Sequence, residues 1–274
     1  MHVNDFDFDP FSFETYGGLW ILVMSLVLLV ISAALSRMRS LGLEKDLLIA
    51  SIRGGIQVMA MGFVLFAVFQ LKDLLLWSVV LAFIAVMVSV ASYTSAGRAK
   101  DLPRPTNATF LGIGVATVVT LGTMLALRVL PPRPEFVIPI AGMVVGNSMN
   151  ATSLALNRLV SEVRSCRPLI EARLLLGADA EKALQPHLRT SVRSALIPTV
   201  DSLKTLGIVF IPGGMTGMLM GGIDPIWAAQ YQLVIFFMIL CSGTIATTVS
   251  TLLAMRQLSS DGVTLIDLPS EGAS

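Results

Sequence analysis

Residues 17–36 read GGLWILVMSLVLLVISAALS, a stretch without a single charged side chain. A bilayer core about 30 Å thick is crossed by a helix of about 20 apolar residues. The stretch meets that requirement, and it decides the fold class. The segment before it is acidic (Asp5, Asp7, Asp9, Glu14), whereas a cleaved signal peptide needs a basic start. The stretch therefore reads as a true span. Working outward, six further apolar segments follow at 47–70, 74–96, 108–130, 136–157, 200–221 and 227–255. The expectation is an all-α polytopic membrane protein of about seven transmembrane helices.

Composition agrees. Hydrophobic residues make up 54% of the 274 positions and charged residues only 14%, against about 25% charged in a soluble domain. Mean hydropathy is +0.79. A net charge of +1 offers no basic surface for nucleic acid. Cys166 and Cys241 form neither a disulfide framework nor a metal cluster by spacing. His2 and His187 lie outside the apolar segments.

Cytoplasmic loops concentrate Lys and Arg. With seven spans and the N-terminus outside, fifteen of the 19 basic residues fall on the cytoplasmic side. Lys72, Arg128 and Arg133 fall outside, and Arg53 sits just within the second span. The opposite orientation reverses the bias, so the reading is N-out, C-in. One membrane domain covers 1–274. It comprises an extracytoplasmic segment 1–16, a cytoplasmic loop 158–199 and a cytoplasmic tail 257–274.

The loop between spans five and six carries helix punctuation. Pro168 suits a first helical turn, where its missing N–H costs nothing. Gly177 can end that helix in a left-handed cap. Asp179 suits the N-cap of a second helix, with Glu181 in its first turn. The chain then returns to the membrane near Pro198. The loop is either a solvated hairpin or a docking element for a soluble partner.

Polar groups inside spans are costly and face protein or a cavity. At about 100° per residue, Gly142, Gly146, Asn147, Asn150, Ser153 and Asn157 share one face of the fifth span. That face is either a packed seam with satisfied amides or a pathway lining. Arg53 and Gln57 lie one turn apart on the second span, where Arg53 can also snorkel to the headgroups. In PTVDSLKTLG (198–207), Asp201 and Lys204 are spaced to pair locally. In FIPGGMTGMLMGG (210–222), Pro212, Gly213 and Gly214 weaken the helix. They predict a hinge or re-entrant turn, which is tolerated at membrane depth only in protein or along a cavity. Met215, Met218 and Met220 are thioethers suited to soft ions, but methionine is also ordinary filler. No metal ligand set is identified.

The stretch EARLLLG (171–177) is similar to the EAA-loop of ABC-transporter membrane subunits. Glu171, Ala172 and Gly177 match, Arg173 replaces the second Ala, and the hydrophobic-Pro ending is displaced to Pro198. The segments AGMVVGNSMNATSLALNRL (141–159), LLLGADAEKALQPHLRTSVRSALIPTVDSLKTLG (174–207) and PGGMTGMLMGGIDPIWAAQYQL (212–233) resemble the FetB/YbbM family of ABC permeases. The resemblance implies a permease subunit, homodimeric, in the cell inner membrane, driven by a separate soluble ATPase. It implies that Glu171, Ala172, Gly177 and Ala178 couple to that ATPase. Family members are associated with iron efflux in bacteria and aluminium tolerance in plants.

The chain has no G-x-x-x-x-G-K-[ST], so it has no P-loop and ATP belongs to the partner. It has no HExxH or G-x-S-x-G either, so no catalytic set is visible and the expectation is not an enzyme. No cofactor is implied for the chain itself. The rival reading is a self-sufficient secondary transporter, which often shows broken helices in matching halves. Only one broken span is visible here, and seven spans do not halve.

Overall fold

The computed structural model describes residues 17–68, 73–99, 101–258 and 265. The acidic segment 1–16 and most of the tail 257–274 lie outside the described residues. The described chain is helical. Among the described residues it has no strand, and an isolated bridge joins Leu206 and Phe210. Two compact units, Met1–Leu71 and Lys72–Ser274, make it up.

The first unit is a helical hairpin of α1 (Gly17–Met38) and α2 (Glu44–Val68). Arg37 closes α1, and Glu44 and Asp46 open α2, each charge complementing the helix dipole at its end. Buried Ser36 knots the turn: its Oγ donates to Glu44 Oε1 at 2.9 Å and accepts from Leu43 N–H at 3.1 Å. Gly42 takes the left-handed backbone, φ 71°, that lets the chain reverse.

The second unit holds α3 (Asp73–Ala96), α4 (Pro105–Ala126), α5 (Pro134–Ser165), α6 (Arg167–Leu175), α7 (Ala180–Lys204), α8 (Gly213–Met220) and α9 (Pro225–Gln257). Pro134, Pro168 and Pro225 each stand in a first helical turn, where no donor is lost. Asp224 caps α9, accepting from Ile226 N–H at 2.9 Å and Trp227 N–H at 3.3 Å. Small residues let α3, α4, α5 and α9 pack closely. A Cβ on Gly112 of α4 would run into Ser250 Oγ and stand 2.8 Å from the Ala246 carbonyl of α9. Hydroxyls tie the helices together: Thr109 Oγ1 donates to the Ser92 carbonyl at 2.9 Å and Ser95 Oγ to the Met149 carbonyl at 3.0 Å. Toward one end, α5, α6, α7 and α9 share a core that includes Leu156, Leu159, Ile170, Leu184 and Met255.

Among the described residues, four stretches are long and apolar enough to cross a membrane: Glu44–Phe66, Leu76–Ala96, Pro105–Ala126 and Pro225–Gln257. A shorter apolar helix covers Val23–Met38. The expected fifth span lies in α5, which runs on to Ser165 and is about 48 Å long at 1.5 Å per residue. The expected sixth span, 200–221, is not one helix. Helix α7 continues through Pro198 but stops at Lys204, the chain turns through 205–212, and α8 has only eight residues. The turn is upstream of the expected Pro-Gly-Gly. Gly207 supplies it with φ 81°, its N–H donating to the Phe210 carbonyl at 3.0 Å. Pro212 then caps α8 rather than interrupting a span.

Candidate functional site

The turn at 205–212 leaves a cavity of about 380 Å³ between α5, α7, the start of α8 and α9. Asn147 and Asn150 line it from α5, Thr199 and Ser202 from α7, and Pro212, Gly213 and Gly214 from the turn and α8. Phe210 borders it, set edge-on to Phe236 of α9 with ring centroids 5.9 Å apart.

The α5 amides lie off the buried face of that helix. The buried face of α5 runs through Val144, Ser148, Ala151, Thr152 and Ala155. Asn150 and Asn157 are exposed, and Asn147 is half-buried with its Nδ2 donating only to its own helix, at the Met143 carbonyl, 2.8 Å away. Asn157 lines a second cavity of about 280 Å³ with Arg158, Ser161 and Ser194. The two cavities share Leu154 and Ala195.

One lining residue was not marked by the sequence pattern. Gln232 of α9 is 5% exposed, and its Oε1 has no hydrogen-bond partner among the described residues. A buried amide oxygen left unpaired costs about 1–3 kcal/mol. Glycine at 214 makes room for it, since a Cβ there would come within 2.9 Å of Oε1. The available signal was weak: one of two amides, with Gln230, at the start of a long apolar run.

The remaining expected residues sit elsewhere. Asp201 and Lys204 pair with each other at 3.0 Å on the exposed side of α7 and do not line the cavity. Arg53 and Gln57 are exposed residues of α2 in the first unit. Met215 and Met218 are half-buried and Met220 exposed, and none lines the cavity.

The expected loop hairpin is present as α6 and α7. Gly177 has φ 86°, its N–H donates to the Leu174 carbonyl at 2.9 Å, and Ala178 N–H donates to the Arg173 carbonyl at 3.0 Å. This is a Schellman cap, which only a left-handed residue completes. Asp179 stands at the N-cap of α7, though its side chain makes no capping bond. Glu171 pairs with Arg167 at 2.7 Å, and Ala172 is exposed. Arg173, the departure from the EAA pattern, reaches the Ala183 carbonyl at 3.4 Å and ties α6 to α7. Beside the cap, Leu175 and Leu176 are 89% and 88% exposed, apolar side chains that no described residue covers.

Residues 19–259 match the model of the uncharacterised protein family UPF0014. The rice (Oryza sativa subsp. japonica) UPF0014 membrane protein STAR2 is 38% identical over 84% of this chain and 80% of its own length. The Escherichia coli K12 protein named "Probable iron export permease protein FetB" is 36% identical over 86% of this chain and 90% of its own. The Arabidopsis thaliana protein ALUMINUM SENSITIVE 3 is 35% identical over 84% and 83%. No solved structure matches the chain significantly. With nearly the whole helical chain inside the family match, the protein belongs to the UPF0014 family of membrane proteins.

Proposed function

We propose that this chain is the permease subunit of an ABC transporter, moving a metal ion or small solute across the inner membrane with a separate soluble ATPase as its motor. The observation that carries the reading is the cavity at the 205–212 turn. It gathers Asn147, Asn150 and Gln232, whose buried Oε1 has no partner among the described residues, against the long apolar helix α9, and polar groups at membrane depth face protein or a cavity. Amide and carbonyl oxygens suit a hard or weakly held cation. The name carried by the E. coli relative supports iron export as the transported class.

The α6–α7 hairpin is the coupling element in this reading. It is capped at Gly177 and offers exposed Leu175 and Leu176 to a groove on the ATPase. Glu171 and Ala172 lie on the same helix. The working unit is a homodimer with two ATPase subunits, N-out and C-in.

The test is reconstitution in liposomes with the cognate P-loop ATPase. Metal-stimulated ATP hydrolysis and ATP-dependent metal movement are expected, both lost on Gln232→Leu. Metal movement that needs no ATPase overturns the reading and favours a secondary transporter.

A further inference from the structure

Away from the cavity, the corner between α5 and α6 brings together three side chains that the sequence separates. Glu162 is on the last turn of α5, Cys166 is the corner residue shared by both helices, and His187 is on α7. One donor atom from each lies within 4.8 Å of the others. His187 is 8% exposed, its Nδ1 is 3.5 Å from Glu162 Oε2, and its Nε2 is buried without a hydrogen-bond partner among the described residues. Cys166 is a free, half-buried thiol. Arg158 holds the other carboxylate oxygen of Glu162 at 2.7 Å.

We propose that Glu162, Cys166 and His187 form a binding site for a divalent first-row transition cation. One thiolate, one imidazole and one carboxylate suit Zn²⁺, Fe²⁺ or Co²⁺, whereas Mg²⁺ and Ca²⁺ prefer all-oxygen sites. Bond lengths of about 2.0–2.3 Å put the donors of a tetrahedral site roughly 3.3–3.8 Å apart. The present spacing closes to that with shifts of about half an ångström per donor, and the fourth position takes water. On binding, the Cys166 thiol gives its proton to solvent. The Nδ1–Oε2 contact is too long for a strong hydrogen bond, so the ring is not committed to Glu162. None of the three residues lines either cavity, so the site is distinct from the proposed path.

The consequence is mechanical. A cation held by α5, the corner and α7 clamps the base of the α6–α7 hairpin. Its effect on ATPase coupling rests on the transport reading, but binding itself does not.

Full-length Cys241→Ser protein keeps Cys166 as its only thiol. Purified free of metal in detergent and titrated with Co²⁺ alone, it should gain thiolate-to-cobalt charge-transfer absorption, which Zn²⁺ then displaces. Cys166→Ser in the same background should show none. Absence of the band in the parent, or its survival in Cys166→Ser, overturns the site. A second readout avoids dependence on that variant's folding. Zn²⁺ should slow alkylation of Cys166 about tenfold, since a coordinated thiolate is no longer a free nucleophile. In His187→Gln it should slow it less than about twofold by the same chemistry. Equal rates with and without Zn²⁺ in the parent overturn the proposal, whatever transport assays show.

Discussion

Gly214 and Gln232 are complementary: a Cβ on Gly214 would stand 2.9 Å from Oε1 of Gln232, so the glycine makes room for a buried amide oxygen that has no partner among the described residues. The pair joins the start of α8 to α9 at the wall of the cavity, which makes it the most direct place to separate stability from transport.

Replacing Gln232 by Leu removes a buried unpaired amide while keeping most of its volume. Thermal stability should rise, by about 1 kcal/mol or more, while transport falls to background. Gly214→Ala should shift the amide and reduce transport less severely. Thermal unfolding in detergent alongside liposome uptake measures both. Wild-type transport by Gln232→Leu removes the residue from the pathway.

At the hairpin, Gly177→Val places a β-branched residue at φ 86°, a strain of about 1–2 kcal/mol in the left-handed region. Leu175→Ser with Leu176→Ser leaves the cap intact but removes the exposed apolar pair. Both proteins should insert normally, and both should retain much less ATPase on co-purification. Full retention by the serine double variant would show that the tip does not dock.

Within the bundle, Gly112→Ala drives a methyl into Ser250 Oγ and toward the Ala246 carbonyl. Over-packing of this kind costs about 1–3 kcal/mol. The expected outcome is a lower unfolding temperature in detergent. Gly122→Ala on the same helix has open space around its Cβ and serves as the tolerant control.

The N-out, C-in orientation has a direct test. A reporter active only in the periplasm should work when fused near Asp224 and fail when fused near Lys182. The reverse pattern would place the α6–α7 hairpin outside the cell, out of reach of any ATPase.

Fold class was legible in the sequence alone, because burial in lipid demands long apolar runs that no soluble chain tolerates. Helix punctuation was legible for a similarly local reason. Gly177 does its work through its own backbone, and Pro168 and the Asp201–Lys204 pair act within one turn. The sequence also marked 210–222 as broken, but not where: tertiary structure puts the turn at 205–212, around Gly207 and the Leu206–Phe210 bridge, and leaves Pro212 to cap α8. Helical periodicity placed Asn147, Asn150 and Asn157 on one face, yet it could not tell seam from lining, because that depends on which neighbouring helix is absent. Gln232 became a site residue only when α9 met Gly214. Glu162, Cys166 and His187 converged only when α7 folded back on the end of α5. Local conformational and solvation energies are written residue by residue in the chain, whereas a cavity or a donor cluster exists only where distant segments pack, and packing is a property of the whole.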